Sequence, residues 1–210
     1  MRRLRPLISA SESGCAGAAA LLHSLCRKID RERSTKLNWT ELLKSDLERT
    51  YAAADRLMGM VDADSLQWKP ESGSNWMTVG QLLKHMTESC GGGCKGFVTG
   101  DWGLPPGMKL EDMALIDMMP PAEKMPSAAS VDEARKLLAE DKALALKMID
   151  QAGEQELANK QVAAPWAPAA PEVLGRHMLF MLEHLNQHKG QLFYYLKLQG
   201  KPVKTPDLWG

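Results

Sequence analysis

His184 and His188 stand four residues apart in the run HLNQHKGQLFYYLKLQG. An α-helix turns about 100° per residue, so side chains four apart project within about 40° of each other. Two imidazoles on one stripe can reach one divalent ion, with metal–nitrogen bonds near ~2.1 Å. Two donors make a poor site, so a third must come from another segment. His85 is the candidate, because it shares a stripe with Leu82 and Met86. Three imidazoles leave at least one coordination position open, which is the mark of a catalytic or substrate-binding ion. Ligation needs neutral imidazole, so metal affinity is expected to fall as the pH drops below roughly 6.5. The same residues also suit a helical core in which histidines satisfy buried carbonyls.

Other groups near these positions have competing readings. His177 lies two helical turns before His184. At ~10 Å along the axis it is too far to share an ion, and a place in the wall of a pocket suits it. Glu88, one turn after His85, is a candidate base or acceptor for a ligating imidazole, or a solvated helix acid. Gln191 is a candidate for orienting a ligand, or a packing residue. Cys90 and Cys94 flank Gly91, Gly92 and Gly93. On a continuous helix both thiols point away from the His85 stripe, which favours packing over metal or redox chemistry.

The elements that must carry these residues are helical. NWTELLKSDLERTYAAADRLMGMV places Leu42, Leu43, Leu47, Tyr51, Ala54, Leu57, Met58 and Val61 at three- and four-residue steps, with Asn38 and Glu41 as a cap. A second helix is expected from Thr78 to Phe97, opened by the pair Thr78 and Gln81. A third follows Ser130 and Glu133 and stops near Gly153; a fourth begins at Pro171 and ends at Gly200. The long stretch between the second and third helices has room for a short helix. No alternating strand pattern stands out. The expected fold is all-α, a four-helix bundle with long crossover connections.

The chain has 210 residues, 44% hydrophobic and 25% charged, with 26 basic and 26 acidic side chains. Zero net charge offers no field for nucleic acid. No apolar stretch approaches the ~20 residues of a membrane span. Four cysteines without a CxxC motif suit a reducing, cytoplasmic setting. Residues 1–36 hold eight Lys/Arg against three acids, and polar residues interrupt any secretory h-region. They are expected to form a basic, mobile N-terminal extension, with the bundle domain over residues 37–210.

HLNQHKGQLFYYLKLQG resembles the closing helix of the DinB-like superfamily of helical-bundle metalloproteins, which carry H-x-x-x-H followed by a G-Q-L-type segment. The family's earlier histidine follows a W-[ST]-x-x-x-x-x-x-H stretch. Here NWMTVGQLLKHMTE supplies Trp76, Thr78 and His85. The resemblance implies metal ligands His85, His184 and His188, zinc or nickel as the metal, and a homodimer. It also implies a small-molecule substrate, and in some relatives S-transfer or isomerisation with a low-molecular-weight thiol. This chain is accordingly read as a candidate metalloenzyme, a metal-dependent transferase or hydrolase. A non-enzymatic metal- or small-ligand-binding helical dimer is the alternative.

Overall fold

The computed structural model describes residues 38–108 and 120–210. The expected N-terminal extension lies outside the described residues, as do residues 109–119 of the stretch given room for a short helix. All elements below fall within the unit Trp39–Gly210.

Helix α1 (Trp39–Met58) buries Leu43, Leu47, Tyr51, Ala54, Leu57 and Met58, the expected stripe, while Leu42 is exposed. The N–H groups of Trp39 and Thr40 each donate to the Glu154 carboxylate at 3.0 Å. An anion is favoured at a helix N-terminus by the free N–H groups and the helix dipole.

Helix α2 (Val79–Met86) opens with the expected box: the Gln81 N–H donates to the Thr78 hydroxyl, and the Thr78 N–H to the Gln81 side chain. The Gln81 amide also donates to the carbonyls of Ala122 (2.7 Å) and Met125 (2.9 Å), tying α2 to the returning connection.

The expected continuous helix from Thr78 to Phe97 is broken. After Met86, the Thr87 hydroxyl donates to the Lys84 carbonyl and the Ser89 hydroxyl to the Met86 carbonyl. These side chains satisfy carbonyls that a further turn would have used. A new helix, α3 (Gly91–Thr99), begins after Cys90 and ends on Gly100 at φ +78°.

Helix α4 (Val131–Asn159) has Ser130 as its cap, its hydroxyl accepting from the Glu133 N–H at 3.0 Å. Gly153 interrupts it at φ +65°, ψ +168°, so the expected stop is a kink followed by a short helical continuation.

The fold is mostly helical rather than wholly so. Strands β1 (Gln161–Ala164) and β2 (Ala167–Val173) form an antiparallel hairpin, pairing Gln161 with Val173 and Val162 with Glu172. The expected fourth helix, α5 (Leu174–Leu198), therefore starts three residues after Pro171, which belongs to β2. A two-stranded ribbon leaves each strand a free edge, and proline is tolerated where no N–H is required. A short α6 (Thr205–Trp209) follows.

The core joins Leu43, Leu57, Leu82, Leu83, Met86, Leu138, Ile149, Leu174 and Leu185. Gly175 marks a close crossing within it. A Cβ there would lie 2.7 Å from the Trp39 ring and 2.8 Å from the Leu157 carbonyl oxygen. The carbonyl is backbone and cannot swing away. Gly175→Ala is expected to destabilise the fold by about 1–3 kcal/mol, read as a lower urea midpoint at unchanged slope.

Candidate metal centre

His85 lies in the last turn of α2, and His184 and His188 lie on one stripe of α5. The break after Met86 and the packing of α2 on α5 bring all three together. One nitrogen from each lies within 4.8 Å of the others. His85 Nε2 and His184 Nε2 are 3.2 Å apart, and the His85 ring centroid is 4.4 Å from that of His188. A tetrahedral ion with bonds near ~2.1 Å would separate two ligating nitrogens by about 3.4 Å.

Hydrogen bonding decides which nitrogen offers its lone pair. His184 Nδ1 lies 3.1 Å from the Ser89 carbonyl oxygen. A carbonyl only accepts, so Nδ1 carries the proton and Nε2 is left as a ligand. His188 Nδ1 lies 3.1 Å from Gln191 Oε1. Gln191 Nε2 donates to the Tyr195 hydroxyl (3.0 Å), whose own proton goes to the Met77 carbonyl (3.0 Å). That chain has one consistent direction, and it leaves Gln191 Oε1 to accept from His188 Nδ1. His184 Nε2 thus faces His85 Nε2, and Nε2 is left as the free lone pair of His188, with the outer hydrogen bonds typical of metal-ligating imidazoles.

Burial holds all three imidazoles neutral. It lowers the pKa of His85 to about 4, helped by His188 and His184. Burial likewise lowers those of His184 and His188, opposed respectively by the bonds to Ser89 and Gln191. Neutral, converging and oriented donors fit a divalent cation.

The other candidates stand elsewhere. His177 is buried (6% exposed), bonds to the Val162 carbonyl at 2.8 Å, and stacks on Phe97 at 4.1 Å. It anchors the hairpin to the helices. Glu88 is half exposed and paired with Lys84. It lines a groove of ≈ 280 Å³ to which none of the three histidines contributes. Cys90 and Cys94 are buried free thiols. The Cys94 thiol is pushed well up by its hydrogen bond with Cys90 and by burial. Trp102 and Trp166 pack edge to face with Phe97.

Three participants had no place among the sequence candidates. Ser89 acts through its backbone carbonyl, which leaves no mark in residue type. Tyr195 stands at the i+4 position from Gln191 and i+7 from His188, so helical spacing could have found it. Asp141 interrupts the buried stripe of Leu138, Ala145 and Met148, a polar residue on an apolar face.

A family model for the DinB superfamily matches residues 46–192, which include all three histidines and both outer acceptors. The chain belongs to the DinB superfamily. No curated relative and no solved structure matches it. Within this DinB-superfamily chain, no described helix is long and apolar enough to cross a membrane.

The pKa shifts predict how the metal-free protein responds to acid. His85 binds its proton near pH 4 when folded and near ~6.5 when unfolded. Between those values the unfolded state holds more protons, so stability rises with pH across that window. The contribution is complete above about pH 6.5 and is lost as the pH falls toward 4. Urea midpoints measured across this range are expected to fall with acid, and His85→Asn to flatten part of the slope. By the same logic, competition for metal by protons moves below the pH 6.5 expected from an unperturbed imidazole.

Proposed function

We propose that His85, His184 and His188 hold one divalent cation through their Nε2 atoms, and that the protein is a metal-dependent transferase acting on small electrophiles. The observation that carries this reading is the pair of Nδ1 hydrogen bonds, to the Ser89 carbonyl and to Gln191 Oε1. They fix the tautomers that leave Nε2 as the free lone pair on both α5 rings. A cation bound there supplies a Lewis acid that polarises a carbonyl and favours the thiolate form of a thiol. Zinc and nickel both suit imidazole donors.

The chain's own part is orientation. Ser89 and Gln191 hold the rings, and Tyr195 holds Gln191. Trp68 and Trp76 pack edge-on against Tyr195 at 5.3 and 6.2 Å and stiffen that end of the site. A low-molecular-weight thiol would bring its own nucleophile, so transfer asks little acid–base work of the protein. The alternative is a non-enzymatic metal- or small-ligand-binding dimer, favoured by the pairing of Glu88 with Lys84 rather than with the histidines.

The wider assignment is a DinB-like four-helix bundle in which α1, α2, α4 and α5 are the principal helices, over residues 37–210. The basic segment 1–36 is read as a separate extension. Tyr194 and Leu198, 62% and 66% exposed on one stripe of α5, offer an apolar face for a homodimer. Free buried thiols suit the cytoplasm.

Elemental analysis of purified protein is expected to find about one zinc or nickel per chain, lost in His184→Ala. No metal in the parent protein, after zinc and nickel are offered, would remove this reading. With metal present, turnover of a model electrophile with one of several thiols supports the transferase. Zero turnover across thiols and metals supports the binding protein.

A further inference from the structure

Asp141 is a carboxylate inside the core, 6% exposed, on the stripe of α4 that also buries Leu138, Ala145 and Met148. A carboxylate there is unfavourable unless its oxygens are hydrogen-bonded. The Tyr51 hydroxyl of α1 donates to Oδ2 at 2.6 Å, and the Gly92 N–H donates to Oδ1 at 3.2 Å. The N–H groups of Gly91 and Cys90 also stabilise its charge. Burial still pushes its pKa up, against the pull of Tyr51 and these N–H groups. One side chain thus ties α4 to α1 and to the start of α3.

The start of α3 has no side-chain cap of its own, since Cys90 makes no capping bond. Asp141 supplies the acceptor from across the core. The approach is close: a Cβ on Gly91 would lie 2.3 Å from the Asp141 carbonyl oxygen and 2.5 Å from Oδ1. Gly91, Gly92 and Gly93 give this turn little stiffness of its own, so its position depends on what holds it. Two residues before Gly91 is Ser89, whose carbonyl accepts the Nδ1–H of His184.

We propose that Asp141 is a positioning residue of the metal centre: by holding the first N–H groups of α3 it fixes the Ser89 carbonyl, which fixes the tautomer and tilt of His184. The proposal rests on the metal-centre reading for its meaning, but its first effect exists in the metal-free protein. Thr87 and Ser89 tie the other end of the turn to α2. Losing Asp141 therefore frees one end of the turn while α2 and its His85 stay in place.

The experiment compares Asp141→Ala, Asp141→Asn and Tyr51→Phe with the parent protein. Leu157→Ala, at the far end of α4, serves as a destabilised core control. In metal-free protein, imidazole nitrogen–proton correlation spectra report which nitrogen of His184 is protonated. The parent and Leu157→Ala are expected to show the Nδ1–H form. Asp141→Ala is expected to show a mixture with the Nε2–H form and to bind cobalt(II) about 10- to 100-fold more weakly. Asp141→Asn keeps one acceptor and is expected to restore most of both. Tyr51→Phe should move in the direction of Ala by less.

If Asp141→Ala does not fold, Asp141→Ser is read in its place, because its hydroxyl is too short to hold both partners. An Ala or Ser variant with the parent's tautomer and cobalt affinity overturns the proposal, as does Leu157→Ala shifting both equally. A parent protein that binds no metal sinks the metal-centre reading, while the tautomer comparison still decides the role of Asp141.

Discussion

A neutral imidazole has one proton and one free lone pair, and the partner of the proton decides where the lone pair points. In this protein the partners are oxygens held by backbone or by a closed hydrogen-bond chain, so the choice is made by the scaffold. Ser89 presents its carbonyl to His184, and Gln191 presents its amide oxygen to His188. Were either acceptor to become a donor, the free lone pair would move from Nε2 to Nδ1. The placement of α2, the turn after it and α5 serves that arrangement.

The two acceptors are supported in different ways. Gln191 belongs to the same helix as His188 and is locked by Tyr195, whose hydroxyl is in turn locked by the Met77 carbonyl. That chain crosses from α5 to the segment leading into α2. Ser89 belongs to a turn created where one helix ends and another begins. Hydroxyl groups end α2, and a buried carboxylate from α4 receives the start of α3. Buried polar networks of this kind specify a geometry only when every member is satisfied. Among the described residues no buried side-chain nitrogen or oxygen lacks a partner.

Apolar packing does the rest. Leu82, Leu83 and Met86 seat α2 in the core while leaving His85 on its rim, and Leu185 and Leu192 do the same for α5 around its histidines. At that rim burial is still deep enough to lower the pKa of all three imidazoles. His177 shows the other outcome: fully inside, bonded to a hairpin carbonyl and stacked on Phe97, it is structural.

The amino-acid order alone was enough for what depends on neighbours three and four residues apart. The apolar stripe of α1, the Thr78–Gln81 box, the Ser130 cap and the shared face of His184 and His188 are all local, and helical geometry makes them readable. Motif spacing also pointed to His85. The hairpin at 161–173 was not readable, because Ala- and Pro-rich strands carry no alternation and exist through pairing with each other. Nor was the break after Met86, which turns on hydroxyls bonding back to α2 and on Asp141, 49 residues from Gly92. Which nitrogen of each imidazole faces inward was decided only in the folded molecule. It depends on the position of a backbone carbonyl in another helix's turn, and residue identity carries no record of that.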